Sequence, residues 1–160
     1  MLLVDPGGFP LLWGTTVDVE LGLTEHAAVA LDGFFPIARA KLSTSTAELR
    51  TGIAFLRVGA VLRYSLARFA VAGSLGMGPA YTWVTAKAVS PYVGEADFAW
   101  GVVAGAGLSV SYPNRSRVFA VAGSRAAVLV PGPRFVLPHE APRDLGPLLI
   151  EASFGIGLRL

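Results

Sequence analysis

The stretch LLIEASFGIGLRL, residues 148–160, decides the fold. Leu148, Ile150, Ala152, Phe154, Ile156, Leu158 and Leu160 alternate with Leu149, Glu151, Ser153, Gly155, Gly157 and Arg159. Successive side chains of a strand point to opposite faces, so one face is wholly apolar and the other is mostly small or charged. A sheet in water turns its bulky face to a core and solvates the other, and solvated faces rarely carry so much Gly and Ala. A narrow barrel in a bilayer needs this arrangement, with large apolar residues outside against lipid and small or polar ones inside where the strands converge.

The same alternation recurs upstream. Over residues 96–112, Phe98, Trp100, Val102, Leu108, Val110 and Tyr112 share a face opposite Asp97, Gly101, Gly105, Gly107, Ser109 and Ser111. Residues 68–83 repeat it, with Phe69, Val71, Leu75, Met77, Tyr81 and Trp83 against Ala70, Ala72, Ser74, Gly76, Gly78 and Thr82. Residues 15–24 set Val17, Val19, Leu21 and Leu23 against Asp18, Glu20 and Gly22. Three further strands are expected. Residues 27–35 form one, ended by Pro36, which has no N–H to donate. Residues 47–64 form another, whose apolar parity changes between Phe55 and Val58, so a bulge near Phe55 to Arg57 is expected to keep both halves outward. Residues 117–130 alternate weakly, and Arg125 is assigned inward because a charge against lipid is costly.

Composition fits a membrane barrel. The chain of 160 residues is 53% hydrophobic and only 15% charged, with a mean hydropathy of +0.58, less charge than a soluble domain of this size carries. Charged residues, Gly or Pro interrupt every apolar run before the ~20 residues that a spanning helix needs. Closed barrels are the other structure that satisfies backbone groups in lipid. A net charge of +2 is too small and scattered to indicate nucleic acid, and the absence of Cys excludes disulfides and thiolate metal sites.

The expected connections alternate in length: short at 24–27, 65–67 and 113–116, long at 36–46, 84–95 and 131–147. Outer-membrane barrels have short periplasmic turns and long external loops, which orients the path and ends the last strand at the periplasm. Tyr64, Phe69 and Tyr112 flank short turns, while Tyr81, Trp83, Tyr92, Phe98 and Trp100 flank the long 84–95 link. Rings with a polar edge favour the headgroup level, so Tyr64, Tyr81, Trp83, Trp100 and Tyr112 are read as membrane-interface aromatics.

With these features the chain resembles the small up-and-down barrels of the outer-membrane protein A transmembrane-domain type, over about residues 15–160. The carrying motif is the strand 150–160, which looks like the signal such proteins present to the barrel-assembly machinery; the family's last residue is typically aromatic, whereas this chain has Leu160. The resemblance implies an integral protein in the outer membrane of a Gram-negative bacterium, an eight-stranded antiparallel fold, and contact with outer-membrane lipid. These barrels share architecture more than activity, so it implies no cofactor.

The expected lumen holds a polar network of Asp18, Glu20, Asp97, Arg125, Glu151 and Arg159, together with Asp32, while Arg57, Arg63 and Arg68 are placed near the periplasmic end. Paired charges would occlude so narrow a barrel, giving a structural or surface-interaction protein with no metal site. The alternative is a lipid-modifying enzyme or protease at the extracellular rim, with His139 and Glu140 as candidates alongside Ser43, Ser45, Ser90 or Asp144. A soluble ligand-binding barrel would need the reverse pattern, bulky inside and polar outside. Gly101, Gly105 and Gly107 lie within a strand, so they indicate close packing rather than a phosphate loop.

Seven strands from residue 15 onward are odd in number, and the up-and-down path calls for one rising strand before it. Residues 1–14 therefore read as a loop with a remnant of a first strand, residues 15–160 as the barrel domain. The start also lacks a secretory signal, and the expectation is that a signal peptide and strand lie upstream.

Overall fold

The computed structural model describes residues 2–4, 12–38, 40–43, 47–88, 96–114, 116–131, 134–135, 143–144 and 148–159; for 2–4, 40–43, 47, 49, 86, 88, 96, 97, 134, 135, 143 and 144 it describes the main chain only. Among the described residues, eleven strands follow in chain order: β1 (Leu2–Val4), β2 (Leu12–Gly22), β3 (Ala27–Pro36), β4 (Ala40–Ser43), β5 (Ala47–Leu66), β6 (Phe69–Ala88), β7 (Ala96–Tyr112), β8 (Val118–Val130), β9 (Arg134–Phe135), β10 (Arg143–Asp144) and β11 (Leu148–Leu158). All pairings are antiparallel. The main sheet runs β3-β2-β1-β11-β8-β7-β6-β5-β4, and β3 also pairs with β5. That last pairing closes the circuit into a barrel.

β3 and β4 both lie against β5, with Phe34 opposite Phe55 and Ala40 opposite Thr51. They form one stave, so the long 36–46 link expected from sequence contains a strand. Seven staves are long, and β1 is an eighth of three residues that pairs with β2 and β11 near their upper ends. The 131–147 link likewise contains the small β9–β10 ladder.

The parity of most staves follows the sequence. Outward positions of β11 include Phe154 and Ile156, each 77% exposed, while Leu149 and Glu151 are buried inside. Bulky side chains such as Val17, Val19, Leu62, Leu75, Met77, Trp100 and Leu108 are exposed around the circumference. An apolar surface that continuous has no place in water. It suits a barrel whose exterior is solvated by hydrocarbon. No helix among the described residues is long and apolar enough to cross a membrane.

β5 departs from the expectation. Its register against β6 is unchanged from Phe55↔Ala80 to Val58↔Met77, so no residue is inserted and there is no bulge. The ladder lacks the two intervening pairs, where Pro79 has no N–H to give. Without a bulge, Ile53, Phe55, Arg57 and Val61 all share the inner face and all are buried. The apolar parity of the upper half of β5 thus marks an internal plug, not lipid.

Candidate functional site in the barrel interior

The lumen is filled in layers. The upper half packs Leu12, Phe34, Ile53, Phe55, Val103, Leu129 and Leu149 into an apolar cluster, with the Phe34 and Phe55 rings stacked at 5.4 Å between centroids. Phe34 and Val103 are fully buried. Bulky residues fit here only because the opposing positions are small: an added Cβ at Gly14 would collide with the Phe34 ring.

Beneath the plug lies an ionic layer centred on Arg57, whose side chain is 2% exposed. Its Nη1 and Nη2 donate to the two oxygens of Glu151 at 2.8 and 2.9 Å, a bidentate fork. Its Nε and Nη2 donate to Asp32 Oδ1 at 2.9 and 2.7 Å. The guanidinium also sits 4.4 Å from the centroid of the Phe55 ring, which joins the layer to the plug. Arg125 donates to Asp32 Oδ1 at 3.1 Å and lies 3.5 Å from Asp18 and 3.9 Å from Glu151. These groups arrive from β2, β3, β5, β8 and β11, so the layer spans the bore. Arg125 crosses it because Gly107, its cross-strand neighbour, has no side chain; a Cβ there would overlap Arg125 Cγ.

Below this, Arg63 pairs with Glu20, and Ala28, Ala30, Val61 and Ala72 line a narrower apolar layer. A small cleft of about 10 Å³, room for about one water molecule, lies between Ala30, Val61 and Ser74 under the Arg57 and Arg125 guanidinia. Around the short turns at that end, Arg159 donates to the Asn114 carbonyl at 2.6 Å and stands 5.5 Å from the centroid of the Phe119 ring.

Among the sequence candidates, Asp18, Arg125 and Glu151 come together with Asp32, and Glu20 stands apart with Arg63. Arg159 is not in that layer, since its position past the end of β11 puts it at a turn carbonyl. Arg57, placed by sequence near the periplasmic end, is instead the hub of the layer, because β5 carries it at mid-height on the inner face. The Asp97 side chain lies outside the described residues, as do His139, Glu140, Ser45 and Ser90 and the side chains of Ser43 and Asp144. Asp18, Asp32 and Glu151 are each turned to a guanidinium, which leaves charge pairing as the chemistry this arrangement can do.

On the outer surface, Tyr81 contacts Trp83, Phe98 and Trp100 at 5.7, 6.0 and 5.0 Å between ring centroids, toward the end of β6 and the start of β7. Phe69 and Tyr112 meet at 4.9 Å near two short turns at the other end, and Tyr64 is 65% exposed. Two aromatic levels therefore bracket an apolar band on an internally filled cylinder. The fold is that of a small outer-membrane barrel. The structure superimposes on that of Ail, the attachment invasion locus protein of Yersinia pestis, with a TM-score of 0.62 over 99% of this chain and 91% of that one, at 12% identity. Ail is an eight-stranded barrel, which matches the seven long staves and the short eighth. By sequence, no protein-family model and no curated protein matches the chain.

Proposed function

We propose that this chain is an outer-membrane barrel of a Gram-negative bacterium with a structural or surface-interaction role and an occluded lumen. The observation that supports occlusion is the pair of stacked layers, the Phe34–Phe55 plug and the Arg57–Asp32–Glu151 ion pairs, which set packed side chains across the bore at two heights. With the interior given to side-chain pairing, the surfaces left for partners are the lipid-facing exterior and the long external connections. Attachment, which the name of the Yersinia barrel carries, is the kind of surface role that fits this division. Outer-membrane lipid is its permanent contact, and the barrel-assembly machinery its partner during biogenesis, reached through the alternating final strand.

The test has two parts. Refolded protein should float with lipid vesicles and resist extraction at high pH, and in planar bilayers it should show no stable, porin-sized current steps. Loss from the vesicles on washing would defeat the membrane assignment, and large steady steps would defeat occlusion.

A further inference from the structure

The short-turn end of the barrel carries an unbalanced set of arginines. The β8–β11 register, continued one step past Leu158 opposite Val118, sets Arg159 directly across from Arg117, and the Arg159 N–H donates to the Arg117 carbonyl at 2.8 Å. Like charges directly opposite each other on one face of an antiparallel pair are destabilising. Arg117 and Arg159 share the inward parity of Phe119 and Gly157, so they stand on the bore side of the wall and not against lipid. A third arginine is tied in through Asn114, whose N–H donates to the Arg68 carbonyl at 2.8 Å and whose carbonyl accepts from Arg159 Nη1 at 2.6 Å. Asn114 is buried, whereas Arg68, Arg117 and Arg159 are exposed. Among the described residues, none of these three arginines has a carboxylate within ion-pair distance. Glu20 is taken by Arg63, and Glu25, on the β2–β3 turn, pairs with none of them.

We propose that Arg117, Arg159 and Arg68 form a receiving site for an acidic peptide segment presented from the aqueous compartment at this end, the periplasm in the outer-membrane reading. Guanidinia supply forked N–H donors that match a carboxylate, and an anion seated between Arg117 and Arg159 turns their mutual repulsion into shared attraction. Arg159 is already held by the Asn114 carbonyl and stands 5.5 Å from the centroid of the Phe119 ring, so little of its freedom is lost on binding. Arg68, on the turn hydrogen-bonded to that of Asn114, is set to take a second acid group, which calls for a chain bearing several carboxylates. The narrow layer of Ala28, Ala30, Val61 and Ala72 fills the bore further in, so the ligand rests at the mouth and reaches the arginines with side chains. Acidic side chains on flexible stems fit that access. A lipid headgroup would lie along the outer face instead.

The inference rests on the membrane assignment above only to name the compartment, and flotation tests that assignment without the peptide. In the experiment, the refolded full chain in phosphatidylcholine nanodiscs, which expose both mouths, is titrated with fluorescent hexaglutamate at low salt. Arg117→Gln with Arg159→Gln should weaken binding by about tenfold or more, and Arg50→Gln with Lys87→Gln, toward the opposite end, should change it by less than about twofold. Hexaglutamate should raise the unfolding midpoint of the parent and leave that of the double arginine variant where it is. Without the peptide, Arg117→Gln should not lower the midpoint, because it removes a like-charge opposition; a drop would show that Arg117 serves the fold and not a ligand. Equal hexaglutamate binding by the parent and the double arginine variant would overturn the site. Inorganic phosphate as potent as hexaglutamate would reduce it to a single-ion contact. An equal midpoint rise from phosphatidylglycerol in the nanodiscs, likewise abolished by the two arginine changes, would assign these arginines to the membrane and overturn the peptide.

Discussion

At the scale of single residues, Arg57 carries the largest electrostatic stake. Its charge is satisfied by two carboxylates, so removing it alone leaves Asp18, Asp32 and Glu151 to share the single guanidinium of Arg125. Leaving buried charges uncompensated costs about 3–5 kcal/mol, whereas replacing a whole buried cluster by apolar residues is often neutral. Arg57→Met should therefore lower folding stability in vesicles by about that amount. The triple change Arg57→Met, Asp32→Leu, Glu151→Met should recover most of the loss. Urea unfolding followed by tryptophan fluorescence measures both, and a single variant within ~1 kcal/mol of the parent would show that the layer is not a compensated unit. The sequence announces that inward acids need basic partners. It does not identify Arg57 as the chief one, because the partners of Arg57, 25 and 94 residues away in the chain, are set by closure of the barrel.

At the scale of elements, the period-two signal is legible where each inner position is small, as in the lower parts of β7 and β11. It misleads where the interior is itself apolar. Ile53 and Phe55 carry the same hydrophobicity as lipid-facing residues, and nothing local distinguishes a plug from an exterior. Register settles the matter. β6 offers a test of facing, since Leu75 and Met77 lie midway between Phe69 and Trp83, which mark the two aromatic levels, and are 68% and 63% exposed. Leu75→Arg puts a charge near the hydrocarbon centre and should cost about 2–4 kcal/mol, while Val71→Arg, close to the Phe69 level, should cost about 0–1. Equal costs at the two positions in vesicle unfolding would mean that the aromatic levels do not mark the membrane boundaries.

At the scale of the whole molecule, the two internal barriers are in series, and they have different chemistry. The plug excludes water by packing, and the ionic layer fixes charge across the bore. Opening one should leave the other in place. Phe34→Ala with Phe55→Ala empties the centre of the plug. Each truncation alone would cost about 3–5 kcal/mol, but the rings stack on each other, so the two losses should not simply add. Water then reaches Arg57 from above, yet the guanidinium stays held by Asp32 and Glu151, and Arg125 still spans the bore opposite Gly107. The double variant is expected to remain closed in planar bilayers, with the midpoint of unfolding shifted down. Adding the Arg57→Met, Asp32→Leu, Glu151→Met changes and Arg125→Ala removes the second barrier, and only that combination should pass small ion currents. Steady currents from the Phe34→Ala, Phe55→Ala variant alone would mean that the paired charges fill the cross-section without sealing it, and that the seal resides in the packed rings.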